Sequence, residues 1–389
     1  MSAAHLEHPA PRRLLHDTAG TKFVSSATGR KYGYLLFLRG KELIAQPFDH
    51  RALELTGSPI RVAENASAQF GSIIVNASAS ASGLLVYVSN LLPPGYQLTW
   101  RDRSGKEAGK VGSVQNLRHV ALSPDGMIAA VSRSESEIWL DELQRGVEAR
   151  FVSASSFAPV WSSDGKWIAY ASGKSLYIKE ASAGSKELRL LESKNLVSPS
   201  DWSRDGRYLI YTGNADRNDE GIWYVRDPLS QAGEHKPVRL EGPETAASQG
   251  QISPDGRWLA YTLTTSTGNY VYVRAFPSGS RRWRISTGAG WQPRWRGDGK
   301  ELYFLTPEPE DEKTLIAVRV RATPHGDFEA GSPQPLFHFR AIATVSRINH
   351  FLYSITEGGQ RFLTIEQAGE AAPVVNVISN WESASVRQE

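Results

Sequence analysis

Cysteine is absent from the 389 residues. That removes disulfides, thiolate nucleophiles and cysteine-ligated metals from consideration. Long apolar runs are missing too. The longest near the start, Tyr34 to Leu38 (YLLFL), has the length of a strand and falls far short of a membrane span. The opening MSAAHLEHPAPRRLLHD holds no apolar h-region, so no signal peptide is expected in this chain. Charge of one sign is scarce, with 44 basic against 41 acidic residues and a net charge of +3. Such a balance implies neither nucleic acid nor anionic lipid as a partner. No G-x-S-x-G occurs, which removes the nucleophile elbow of the α/β-hydrolases. No segment carries a convincing helical period.

What is present is a repeat. Hydrophobic residues make up 40% and charged residues 22%, enough apolar material for a core in a soluble globular chain. One pattern recurs along it: LSPDGMIAAVS at Leu122, WSSDGKWIAYAS at Trp161, WSRDGRYLIYTG at Trp202, ISPDGRWLAYT at Ile252 and WRGDGKELYFLT at Trp295. Weaker copies are ASASGLLVYVS with Gly83, ITEGGQRFLTI with Gly359 and YGYLLFLRG with Gly33. The turn glycines are then Gly33, Gly83, Gly126, Gly165, Gly206, Gly256, Gly299 and Gly359, spaced 39 to 60 residues apart, around the length of a four-stranded propeller blade.

Each copy reads as four strands. A short strand ends in an apolar residue, often Trp; an Asp-Gly turn follows; then come an apolar strand such as WIAYAS, a third such as GIWYVRD or NYVYVRAF, and a fourth such as ELRLLES or RRWRIST. Glycine supplies the positive φ of a tight hairpin, and the Asp side chain accepts nearby backbone N–H groups. The Trp before the turn buries a large area between neighbouring sheets. Because a four-stranded sheet exposes two faces, a ring of sheets is the arrangement that covers them all. The expectation is an all-β, single β-propeller of antiparallel four-stranded blades over residues 1–389, with eight blades and seven or six as alternatives. PRRLLHD, within residues 1–20, is expected to close the ring by joining the last blade, whose other strands are NHFLYSI, RFLTIE and PVVNVISNW.

SPDG followed by RWLAYT, with third strands of the IYV type, resembles the TolB-like, WD-repeat-like propeller blades of bacteria. Five segments in fixed order, GYLLFLRGKELIAQPFD, QLTWRDRSGKEAGKVG, QGQISPDGRWLAYT, WQPRWRGDGKELYFL and FEAGSPQPLF, make nearly the whole chain similar to the C-terminal propeller region of many bacterial membrane-anchored serine/threonine protein kinases and of free-standing relatives. The kinase itself is absent, since no Gly-rich loop, HRD or DFG occurs. The resemblance implies a sensory or scaffolding role on the outer side of a bacterial membrane.

Candidate chemistry follows. Ser162 and Asp164 lie one residue apart, but no His is near in sequence and the pair recurs in other copies, which a single active site would not do. GKEAGK (Gly105 to Lys110) has the wrong spacing for a phosphate loop and is followed by Val111. DRNDEGIWYVRD sets Asp216, Asn218 and Glu220 at alternate positions, with Asp227 twelfth, a candidate calcium loop and the sole cofactor considered. The nine histidines are scattered, none at metal-ligand spacing within one segment.

The remaining candidates come from where repeats disagree. The innermost strand of a blade lines the channel. Before its packed apolar residue these strands offer Arg118, His119, Asp201, Gln249, Gln251, Gln292 and Arg294, which vary while the turn does not. They form a candidate rim for a protein or small-ligand partner. The expected function is a non-enzymatic binding module acting as a monomer. The alternative is a hydrolase or lyase with a channel-mouth site, with a divalent metal as a candidate.

Overall fold

The computed structural model describes residues 14–382 apart from 16–18, 27–31, 41, 65, 67–74, 81, 90–94, 134–136, 154, 183, 215–219, 231–234, 241–245, 280, 309–311, 324–326, 342–349 and 369–373. Described residues form eight antiparallel sheets and no α-helix. The chain divides into two compact units, residues 95–368 and residues 1–94 with 369–389.

The longer unit holds six sheets, here called blades. Blade 1 has Leu117–Leu122, Ile128–Arg133, Glu137–Glu142 and Val147–Val152; blade 2 has Ser156–Trp161, Trp167–Ser172, Ser175–Glu180 and Glu187–Glu192. Blade 3 has Val197–Trp202, Tyr208–Asn214, Glu220–Arg226 and Val238–Arg239; blade 4 has Ala247–Ile252, Trp258–Thr265, Gly268–Ala275 and Arg282–Arg284. Blade 5 has Trp291–Trp295, Glu301–Pro307 and Glu312–Ala322, the last flanked by Phe328–Ala330 and Gln334–Arg340.

Blade 6 is built from two distant parts of the chain. Tyr353–Ile355 and Arg361–Ala368 are completed by Gly95–Asp102 and Glu107–Gln115. Pairing runs in register from Arg361↔Asp102 to Ala368↔Gly95. Alternate residues Tyr96, Leu98 and Trp100 pack with Leu363 and Ile365 against Leu117, Val120, Ala129 and Val131 of blade 1. Arg101 adds an ion pair to Glu366 at 2.6 Å. Comparable apolar clusters lie between blades 1 and 2, 2 and 3, 3 and 4, 4 and 5, and 5 and 6. Six blades and six interfaces therefore close a ring.

This closure corrects the expectation that PRRLLHD joins the last blade. That segment falls largely outside the described residues; Leu14 and Leu15 are described and belong to no strand. The two strands of blade 6 already have the Gly95–Gln115 hairpin as their partner, so that edge is taken. Val374–Ser379, expected as a further strand of the same blade, pairs instead with Leu84–Ser89 in the shorter unit.

The shorter unit holds two sheets. One contains Ala19–Ser25, Tyr32–Arg39, Glu42–Asp49, Glu54–Leu55 and Ile60–Ala63; the other contains Ala77–Ala79, Leu84–Ser89 and Val374–Ser379. Its core gathers Leu36, Leu38, Leu43, Ala45, Leu85 and Trp381. Gly33 is not a turn residue. It lies within Tyr32–Arg39 opposite Ser25, where a Cβ would collide with the Phe23 ring.

The other seven repeat glycines all have positive φ. In WSSDGKW the turn closes by Gly165 N–H donating to the Ser162 carbonyl at 3.0 Å. The Ser162 hydroxyl donates to Asp164 at 2.6 Å and accepts from Trp167 N–H at 2.9 Å. Equivalent Ser–Asp bonds of 2.6 Å occur at Ser123, Ser203 and Ser253. Hydrogen bonding from Ser162 holds the Asp164 carboxyl below its ordinary range. Ser, Asp and Gly thus form a self-satisfied turn with a left-handed glycine, and among the described residues the Ser162 hydroxyl bonds only within its own turn.

Gly206 and Gly359 separate the two costs of adding a side chain here. At Gly206 (φ 75°) a Cβ meets nothing within 4 Å; at Gly359 (φ 65°) it meets the Tyr303 hydroxyl and Arg296 Cδ. Gly206→Ala is expected to cost about 1–2 kcal/mol from backbone strain alone, and Gly359→Ala more. Urea unfolding followed by tryptophan fluorescence measures both, and equal losses would contradict the packing assigned to Gly359.

Candidate functional site

The site is made by a local irregularity repeated around the ring. The first strands of blades 2 to 5 slip register by a bulge, and the residue paired next after it is Val160, Asp201, Gln251 or Arg294. Pro159, Gly250 and Pro293 sit inside three of these bulges. Proline cannot donate to a ladder and glycine weakens one, so both favour a bulge, and a bulge re-aims the side chain that follows it. Ala158, Gln249 and Gln292 take positive φ at the bulges, at 53°, 57° and 56°.

One cavity of about 780 Å³ opens at the Asp-Gly turn end of the ring. Its inner girdle takes one residue per blade: Ala121, Val160, Asp201, Gln251, Arg294 and Ser354. Each stands five residues before its blade's turn glycine. Ala121 and Val160 make an apolar arc; the other four make a polar arc.

Of the seven rim residues expected from sequence, Asp201, Gln251 and Arg294 line this cavity. Arg118, His119, Gln249 and Gln292 do not. They lie earlier on their strands, and His119, Gln249 and Gln292 fasten one blade to another. Gln249 Oε1 accepts Gln292 N–H at 2.9 Å, and Gln292 Oε1 accepts Leu352 N–H at 2.8 Å. His119 Nδ1 accepts Phe351 N–H at 3.2 Å, and Arg118 is buried beside His350. Burial and the Arg118 charge push the His350 imidazole down to about 4.

Within the cavity, Asp201 Oδ2 accepts Ile252 N–H at 2.6 Å. Gln251 Nε2 donates to the Ser200 carbonyl. Ser354 Oγ accepts Leu122 N–H at 3.1 Å. The Arg294 guanidinium lies 4.1 Å over the Phe351 ring. Burial lowers its pKa from the ordinary arginine value, opposed by Tyr353 and Asp201. Three residues of the cavity went unseen in the sequence: Arg204, Glu357 and Ser354. Arg204 and Glu357, from opposite blades 3 and 6, form an ion pair of 2.8 Å at the cavity. Ser354 was hidden because ITEGG lacks the Asp of the other turns, though counting five back from Gly359 finds it.

Of the candidate calcium ligands only Glu220 and Asp227 have a described backbone position. Asp216 and Asn218 lie outside the described residues. Glu220 begins the strand Glu220–Arg226 and Asp227 follows its end. Seven strand steps of about 3.3 Å part them by about 23 Å, whereas two calcium–oxygen bonds span only about 5 Å. Among the described residues no three His, Asp or Glu side chains are placed to hold a metal ion. No helix among them is long and apolar enough to cross a membrane.

Comparison with known proteins agrees with this architecture. No protein-family model and no curated protein matches the chain. Solved structures do. A putative TolB from Agrobacterium tumefaciens superposes with a TM-score of 0.58 at 15% identity, covering 71% of this chain and 99% of that one. TolB from Acinetobacter baumannii covers 88% of this chain and 82% of its own at 17% identity, with a TM-score of 0.49. The fold is that of a TolB-like β-propeller.

Asp201 gives the site a pH signature. Burial raises its carboxyl from 3.8 to about 6, opposed by the Ile252 N–H, the Arg294 charge and the Trp202 backbone. The folded state therefore keeps a proton that the unfolded chain releases between pH 4 and pH 6, and this carboxyl withdraws stability as pH rises through that window. Asp201→Asn is expected to gain stability relative to wild type across that window, by at most about 3 kcal/mol, and to hold the gain above it. Unfolding free energies of both proteins from pH 4 to 7 check this; a constant difference would contradict the burial of Asp201.

Proposed function

We propose that the ring of residues 95–368 is a non-enzymatic binding module whose recognition site is the cavity at the Asp-Gly turn end. One observation carries this reading. Six structurally equivalent positions, each fixed by the same turn and most by the same bulge, hold six different side chains around one cavity. A framework that is constant everywhere except at one girdle is suited to recognition, since variable side chains on a rigid ring of strands set specificity. The volume lies within the range of about 300–1,000 Å³ typical of small-ligand pockets. Its occupant is a small ligand or a segment of a partner protein entering along the ring axis. The ordered motifs from GYLLFLRGKELIAQPFD to FEAGSPQPLF support a sensor or scaffold role of the kind carried by kinase-associated propellers, outside the cytoplasm.

Site-directed photocrosslinking tests the site. Ser163 is exposed and lines the cavity, whereas Leu188 is exposed on the outermost strand of blade 2. A photoreactive residue at 163 is expected to capture a discrete adduct from native extract, lost when unlabelled protein competes, while one at 188 captures none. The same adducts from both positions, or none from 163, would overturn the assignment.

A further inference from the structure

Among the described residues, one cation of the cavity has no hydrogen-bond or ion-pair partner. Arg294 lines the cavity, and its Nε is buried without a hydrogen bond. Among the described residues the guanidinium makes no hydrogen bond and no ion pair; Phe351 lies under its face, and Asp201 acts on it from longer range. The other cavity arginine differs, because Arg204 is paired with Glu357 at 2.8 Å. A guanidinium carries five N–H donors, and a buried one left without an acceptor is costly, so its unused donors mark a place for an acceptor from outside the chain.

The neighbouring positions define that acceptor. Ser354, on the adjoining blade, spends its oxygen accepting Leu122 N–H, which leaves its hydroxyl proton to donate. Arg294 and Ser354 thus present donors side by side on the girdle. Asp201 sits two blades away on the same girdle, and its charge opposes a dianion more strongly than a single negative charge. Arginine's planar fork matches a carboxylate in two parallel hydrogen bonds. Across the ring from blade 5 stands blade 2, whose girdle residue is Val160, with Ala121 beside it and Trp161 also lining the cavity. One side therefore offers cationic and hydroxyl donors, and the opposite side is apolar.

Resting on the cavity as recognition site, we infer that it binds a monocarboxylate joined to an apolar group, with the carboxylate on Arg294 and Ser354 and the apolar part against Val160 and Ala121. Such a group is either a free aliphatic acid or the C-terminal carboxylate of a peptide ending in an apolar residue. The two share this chemistry and differ in what projects from the cavity mouth.

Isothermal titration of the full chain with four probes tests the inference: hexanoate, hexanamide, a hexapeptide ending in leucine with a free carboxylate, and the same peptide as its C-terminal amide. At least one acid is expected to bind about tenfold or more tightly than its amide, since a charge-assisted hydrogen bond contributes about that much. Tighter hexanoate identifies a free acid as the source; tighter peptide acid identifies a chain terminus. Arg294→Met is expected to erase the preference for acid over amide, Arg294→Lys to keep part of it, and Val160→Asn to weaken an acid and its amide alike. The wild-type comparison stands even if Arg294→Met fails to fold. Acids and amides binding equally, neither binding, or a folded Arg294→Met that keeps the preference would overturn the inference. Crosslinking from position 163 reports any occupant, so its success alongside equal acid and amide binding would sink the carboxylate assignment and leave the recognition site standing.

Discussion

Everything in the longer unit depends on covering both faces of each four-stranded sheet. A blade such as Ser156–Trp161 to Glu187–Glu192 is apolar on two sides, and a single sheet cannot shield itself. Neighbours do it in turn. Tyr170 is covered with Ile138 and Val152 of blade 1, while Ala169, Ala171 and Leu176 pack with Trp202 and Leu209 of blade 3. The last face is covered only because Gly95–Gln115 returns to complete blade 6. Closure therefore joins segments more than 240 residues apart in the chain, here Arg361 and Asp102, and its Arg101–Glu366 pair is half-buried at the seam.

The same constraint makes the site. Inner strands converge on the axis, where their backbones must turn out of regular pairing, and bulges do this at each blade from 1 to 5. Side chains at the bulges then serve two ends. Gln249, Gln292 and His119 satisfy backbone N–H groups of other strands, which buried amides require. In blades 2 to 5 the residue just past the bulge faces the cavity. Fastening and cavity-facing residues sit two apart on one strand, which is why residues that look alike in sequence divide into His119, Gln249 and Gln292, which bond to other blades, and Asp201, Gln251 and Arg294, which face the cavity.

Much of the architecture was legible in the sequence because it is locally written. Asp164 and Gly165 encode a turn through hydrogen bonds to their own neighbours, and that turn recurs wherever Ser-x-Asp-Gly does. Strand alternation and the Trp before each turn are equally local signals. Gly33 misled because it occupies the repeat spacing without the repeat's function: its backbone is extended, and its missing Cβ makes room for Phe23. Ser354 was missed for the opposite reason, since it holds the equivalent position behind a turn whose Asp has been replaced.

The sequence by itself determined the antiparallel β-sheet class, the turn chemistry and the position in each repeat where chemistry varies, because these follow from spacing and from contacts within a few residues. Only the tertiary structure decided which strands complete blade 6, which of the variable side chains are spent on neighbouring backbones, and that Arg294 stands across the ring from Val160 with its donors unclaimed. Those facts depend on pairings between residues hundreds of positions apart, and no local pattern records them.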